Sequence, residues 1–169
     1  MRLTSLFLVI FFIEVKAQDA GMNSSNRPLN SIALNFGEGS SIALVYERLK
    51  ILDGKSFLAS KIGIGYNKEF QLCLFGPCST PPNKFATIPF SISANVGKLK
   101  SYLEIGICHL FVFGKTDRPS VFSILGGYRF QVLHSNKFNF RVYLNFPLGG
   151  FNDIELIFLP IGFSTGLCF

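Results

Sequence analysis

Beyond Ala17 the chain holds no apolar run approaching the ~20 residues that a membrane-spanning helix requires, yet apolar residues return at every second position through most of its length. A period of two means strands, because successive side chains of an extended chain point to opposite faces. Ser31 to Phe36 places Ile32, Leu34 and Phe36 on one face, and after a Gly37-Glu38-Gly39-Ser40 turn Ser41 to Leu49 continues that face with Ile42, Leu44 and Tyr46. Phe57 to Asn67 sets Leu58, Ile62, Ile64 and Tyr66 against Lys61, Gly63, Gly65 and Asn67. Ala86 to Val96 sets Ile88, Phe90 and Ile92 against Thr87, Ser91, Ser93 and Asn95, with Pro89 a blemish because it cannot donate to a ladder. Tyr102 to Phe113, Phe122 to Val132 and Phe138 to Phe146 repeat the pattern. The last segment, Pro160 to Phe169, opposes Ile161, Phe163, Leu167 and Phe169 to Gly162, Ser164, Gly166 and Cys168.

The sequence is 49% hydrophobic and 15% charged, with 20 Phe and no Trp, the balance of an integral membrane protein. A chain without spanning helices satisfies its backbone in lipid only as a closed sheet. The expected fold is therefore all-β, an eight-stranded antiparallel up-and-down transmembrane β-barrel over residues 31–169. Merging the first two strands into one bent strand would leave seven, and antiparallel closure would fail. Met1 to Ala17 reads as a secretory signal peptide, with Arg2 as its positive start and Leu6 to Ile13 as its apolar run. Residues 18–30 are expected to form a flexible N-terminal segment. Connector lengths point the same way: the turns at Leu49 to Ser56, Gly97 to Ser101 and His134 to Lys137 are expected on the periplasmic side. Longer loops, at Asn67 to Phe85, Gly114 to Ser120 and Gly149 to Leu159, then fall outside.

Charge sits almost wholly on the face opposite the Phe residues. Glu47, Lys61, Glu104, Arg129 and Arg141 all fall toward the periplasmic end of the expected lumen, where Glu47 neighbours Lys61 and Glu104 neighbours Arg129 and Arg141. Opposite charges pairing in a space with little water would make a lumenal plug. Tyr46, Tyr66 and Tyr128 supply interfacial aromatics, while Tyr102 and Tyr143 have lumenal parity. Cys73 and Cys78 bracket a Gly-Pro turn in the longest outer loop and are a candidate disulfide. Cys108 and Cys168 are expected as free thiols filling the lumen, and no cofactor or metal is expected, since no His shares their face.

Several stretches together resemble the small outer-membrane β-barrel proteins of Gram-negative bacteria, of the OmpA and OmpX size class. These are Asn35 to Ser41 before Val45-Tyr46-Glu47-Arg48, Ser91 to Gly97 before Tyr102-Leu103-Glu104-Ile105-Gly106, Gly126-Gly127-Tyr128-Arg129-Phe130-Gln131, and the closing Phe169. The resemblance covers most of the expected mature chain and implies architecture and location rather than an activity. It implies that Phe163, Leu167 and Phe169 form a C-terminal signal for the barrel assembly machinery, although Leu167-Cys168 departs from the usual pattern before the last Phe. It also implies outer-membrane lipid and lipopolysaccharide as partners, and a surface role through the loops.

Two other classes stay in view. Some small outer-membrane barrels modify lipid A with a His and a Ser near the membrane surface. Here the only histidines are His109, on the apolar face without an acidic or hydroxyl partner on that face of its strand, and His134, in a turn beside Ser135. Neither supplies the base and orienting group that nucleophilic catalysis needs, so no enzyme is expected. A soluble secreted barrel of the lipocalin kind would use the same alternation inside out, with the Phe face around an apolar ligand. Basic residues spread over turns, without aromatic residues interleaved on a polar face, argue against nucleic acid.

Overall fold

The computed structural model describes residues 29–38, 40–52, 55–68, 84–98, 100–114, 119–131, 138–148 and 160–169. They form strands β1 (Asn30–Phe36), β2 (Ile42–Ile51), β3 (Ser56–Lys68), β4 (Lys84–Lys98), β5 (Ser101–Phe113), β6 (Ser120–Gln131), β7 (Phe138–Pro147) and β8 (Ile161–Cys168). Each strand pairs antiparallel with its sequence neighbour, and β1 pairs with β8, so the sheet closes as an up-and-down barrel in the order of the chain. The closing seam is completed by Phe169, whose N–H donates to the Asn30 carbonyl at 2.8 Å while the Asn30 N–H donates to the Phe169 carbonyl at 3.1 Å. Residues 1–28, which carry the expected leader, lie outside the described residues, and Asn30, expected in the flexible segment, is the first residue of β1.

The register fixes the barrel's shape. Stepping across the sheet from Phe138 passes Leu167, Ile32, Tyr46, Ile62, Phe90, His109 and Phe122 and returns to the seventh strand's end at Leu148, whose N–H donates to the Phe122 carbonyl. From 138 to 148 is a displacement of ten residues. With ~3.3 Å per residue and ~4.7 Å between strands, that displacement over eight strands sets a tilt of about 41° and a backbone radius of about 8 Å. The interior is then only wide enough for side chains. β4 runs unbroken through Pro89, and its cost falls on one ladder, where Gly63 and Ile64 drop out of the β3–β4 register.

Alternation along the strands is nearly uninterrupted, as in β2 and β7, where every other residue is buried. The large apolar side chains face outward: Leu34, Ile64, Leu103, Ile105, Phe122, Phe146, Phe163 and Leu167 are among those exposed. The interior has three zones. At the end where the chain's two ends of β1 and β8 meet, the N/C end, Leu49, Phe57, Ala59 and Tyr102 form a buried apolar cluster, Phe57 and Tyr102 meeting edge to face at 4.9 Å. Charged and polar residues fill the middle. Toward the far end, Phe85, Leu110 and Val112 line the wall built by the longer strands β4 and β5.

Among the described residues, all three carboxylate side chains (Glu38, Glu47 and Glu104) are buried inside, whereas the exposed charged side chains are basic. Arg48, Lys50, Lys55, Lys98 and Lys100 border the N/C end and Lys68 and Lys84 the far end.

Candidate functional site

The centre of the lumen holds a ring of four charges drawn from four strands. Glu47 comes from β2, Glu104 from β5, Arg129 from β6 and Arg141 from β7, each an inward position within five residues of its strand's N/C end. Arg129 reaches across the full width of the barrel to Glu47, with Nη1 and Nη2 donating to Oε1 and Oε2 at 2.7 Å each. Arg141 donates to Glu104 in the same forked way, from Nε to Oε2 at 2.9 Å and from Nη2 to Oε1 at 2.7 Å. The two pairs are cross-linked: Arg129 Nη2 lies 3.2 Å from Glu104 Oε1, and Arg141 Nη1 3.8 Å from Glu47 Oε2. Two arginines that are direct cross-strand neighbours would repel each other, and two carboxylates interleaved with them make the ring neutral.

Polar and aromatic neighbours hold the ring. Ser93 Oγ donates to Glu104 at 2.6 Å, Ser31 Oγ to Glu47 at 3.4 Å, and Arg129 Nη1 also donates to Gln131 at 3.1 Å. The Phe57 ring lies 5.4 Å from the Arg129 guanidinium carbon, and the Tyr143 ring 5.2 Å from that of Arg141. The Phe57 contact places the apolar cluster against Arg129 on the N/C side, and Tyr143 covers Arg141 from the far side.

Lys61 is not part of this ring, which corrects the expected Glu47–Lys61 pairing. The two residues are direct cross-strand partners, but Glu47 is taken by arginine and the Lys61 ammonium pairs with Glu38 instead. The physical reason is geometric: both Glu47 oxygens are occupied by a guanidinium fork that matches a carboxylate better than a point charge does. Glu38 comes from the β1–β2 turn, which folds into the lumen. Gly37 there has φ of 83°, a conformation that side chains disfavour, and its N–H donates to the Ser40 carbonyl at 2.9 Å. Asn35 Nδ2 donates to Glu38, and the Ser40 and Thr87 hydroxyls share a hydrogen bond at 2.6 Å. Period two does not extend into a turn, so nothing in the alternation marked Glu38 as inward; the only signal was a carboxylate between two glycines.

No family model, curated protein or solved structure matches this chain. Its chemistry must be read from its own residues. The fixed, neutral, multiply bonded ring acts as a brace and an obstruction: it offers no free nucleophile. Among the described residues no group of three or more His, Cys, Asp or Glu is placed to hold a metal. Several interior polar atoms (Asn35 Oδ1, Glu38 Oε1, Ser164 Oγ and both amide atoms of Asn145) have no protein partner, so the polar zone above the ring suits ordered water.

The remaining sequence candidates scatter. Cys108 and Cys168 are free, buried thiols inside the barrel, and Gln131 Nε2 donates to Cys168 Sγ at 3.5 Å. Cys73, Cys78 and His134 lie outside the described residues. His109 stands on the outer wall, stacked on Phe122 at 4.0 Å and beside Phe111 at 4.2 Å, with its Nε2 unpartnered. Phe163, Leu167 and Phe169 are exposed along the outer face of the closing seam, where Phe163 stacks on Phe36 at 4.8 Å.

Proposed function

We propose that the protein is an integral outer-membrane β-barrel with a plugged lumen, serving a structural or surface-interaction role through its outer loops. The observation that carries this reading is the inversion of the barrel: large apolar side chains on the outside, and Glu38, Glu47, Lys61, Glu104, Arg129 and Arg141 buried within. Lipid favours that arrangement and water opposes it. Outward tyrosines near the rims add support. Tyr46 donates to Asn30 at 2.7 Å and Tyr128 to Ser101 at 2.7 Å, both at the N/C end, as interfacial aromatics do. At ~2.5 Å of height per tilted residue, the thirteen-residue β3 rises ~30 Å, enough to cross the ~25 Å apolar band of such barrels with its basic rims outside it. The charge ring crosses an interior only wide enough for side chains, so bulk diffusion is not part of the reading.

A lipocalin-like binder is disfavoured by the same inversion, because the interior presents ion pairs where an apolar ligand would sit. Heat modifiability tests the proposal. The mature chain folded in detergent micelles should run at a different apparent mass boiled and unboiled, and the cellular protein should partition with outer membranes. A monomer that stays soluble in buffer without detergent would sink it.

A further inference from the structure

We propose that the outer wall carries a binding site for the phosphate of one anionic glycerophospholipid, centred on Arg48 near the N/C rim; the proposal rests on the membrane reading above. Arg48 faces outward on β2, and its cross-strand partners are Asn30 on β1 and Ser60 on β3. Those three residues form a polar row on the outer wall, bordered by Tyr46 and Ile62 toward the middle and by Lys50 and Leu58 toward the rim. Every member of the row presents a donor. The Tyr46 hydroxyl occupies Asn30 Oδ1, which leaves the Asn30 Nδ2 to donate outward. Lys50, two residues along the same face, adds a second cation about 7 Å from the first.

Two like charges this close on one face repel each other, and among the described residues no carboxylate side chain lies on that face to answer them. Among the described residues the three carboxylate side chains, Glu38, Glu47 and Glu104, are all buried inside the barrel, so none of them pairs with this guanidinium. What fits is an anion with several acceptor oxygens, held at the depth of a head group by a chain that continues into the apolar wall. A phosphodiester meets both conditions: its oxygens take the guanidinium fork, and its acyl chains run away from the rim along Ile62, Ile64 and Leu44. Anionic lipid is favoured over zwitterionic because two cations face one phosphate.

Native mass spectrometry of the detergent-folded full barrel tests this, with phosphatidylglycerol and phosphatidylcholine titrated in separately. The wild type should retain one phosphatidylglycerol preferentially. Arg48→Gln/Lys50→Gln should lower that retention roughly tenfold, and Lys68→Gln/Lys84→Gln, at the other rim, should leave it unchanged. Equal retention of phosphatidylglycerol by all three proteins, or equal retention of the two lipids by the wild type, overturns the site while the folded barrel stands. Preferential capture of lipopolysaccharide through Arg48 and Lys50 overturns the assignment of the ligand. A chain that stays monomeric in buffer without detergent fails the membrane reading, and the site falls with it.

Discussion

Glu104→Gln removes one negative charge from the ring without changing its volume. The Glu104 carboxylate accepts from Arg141 at 2.9 and 2.7 Å, from Arg129 at 3.2 Å and from Ser93 at 2.6 Å. Glutamine keeps one acceptor oxygen and turns an NH2 group toward the Arg141 fork, so donor meets donor, and two neighbouring guanidiniums are left with Glu47 alone. Removing one partner of a buried pair costs about 3–5 kcal/mol, or roughly three orders of magnitude in the unfolding equilibrium. Urea titration of the barrel in lipid vesicles, followed by the heat-modifiable gel shift, measures that loss. Arg141→Met added to Glu104→Gln restores neutrality and should recover most of it. A loss below about 1 kcal/mol, or a double variant as unstable as the two singles added, would refute the reasoning, because the ring would then be solvated by lumenal water rather than dry.

Two further predictions concern space and access. An alanine at Gly162 would overlap the Tyr143 ring and the Phe36 carbonyl, whereas one at Gly126 meets open space on the outer wall; Gly162→Ala should cost about 1–3 kcal/mol in the same urea titration, and Gly126→Ala about nothing. Cys108 and Cys168 are buried, so in a variant with Cys73 and Cys78 changed to Ser a maleimide probe should leave the folded barrel unlabelled and add two labels in urea.

Strand positions were legible because lipid-type patterning forces a strict period of two, and the expected strands overlap β1 to β8 throughout. Inward parity was equally readable for Glu47, Lys61, Glu104, Arg129 and Arg141, since parity is local. The pairing of Glu104 with Arg129 and Arg141 was readable too, but the partner of Glu47 was not. Glu47 and Lys61 face each other across one ladder, yet Glu47 pairs across the lumen with Arg129, a contact that depends on the ten-residue displacement, a property of closure that no single hairpin contains. The inward fold of the β1–β2 turn was hidden for a related reason: Gly37 permits it, and the Lys61 ammonium left over from the ring, with the Asn35 amide, gives Glu38 a reason to enter.

The ring also constrains the order in which the barrel can be made. Arg129 and its partner Glu47 are 82 residues apart in the chain, and Arg141 and Glu104 are 37 apart. The β6–β7 hairpin by itself carries two arginines on its inner face and no carboxylate among its described residues, so it cannot enter an apolar phase alone without exposing two uncompensated charges. Balance is reached only when β2 through β7 are present together. On the membrane reading proposed above, a strand-by-strand entry into lipid is uphill until late, and that reading requires the sheet to be kept in a wet or protein-lined setting until six strands have assembled, after which the β1–β8 seam can shut on a neutral interior.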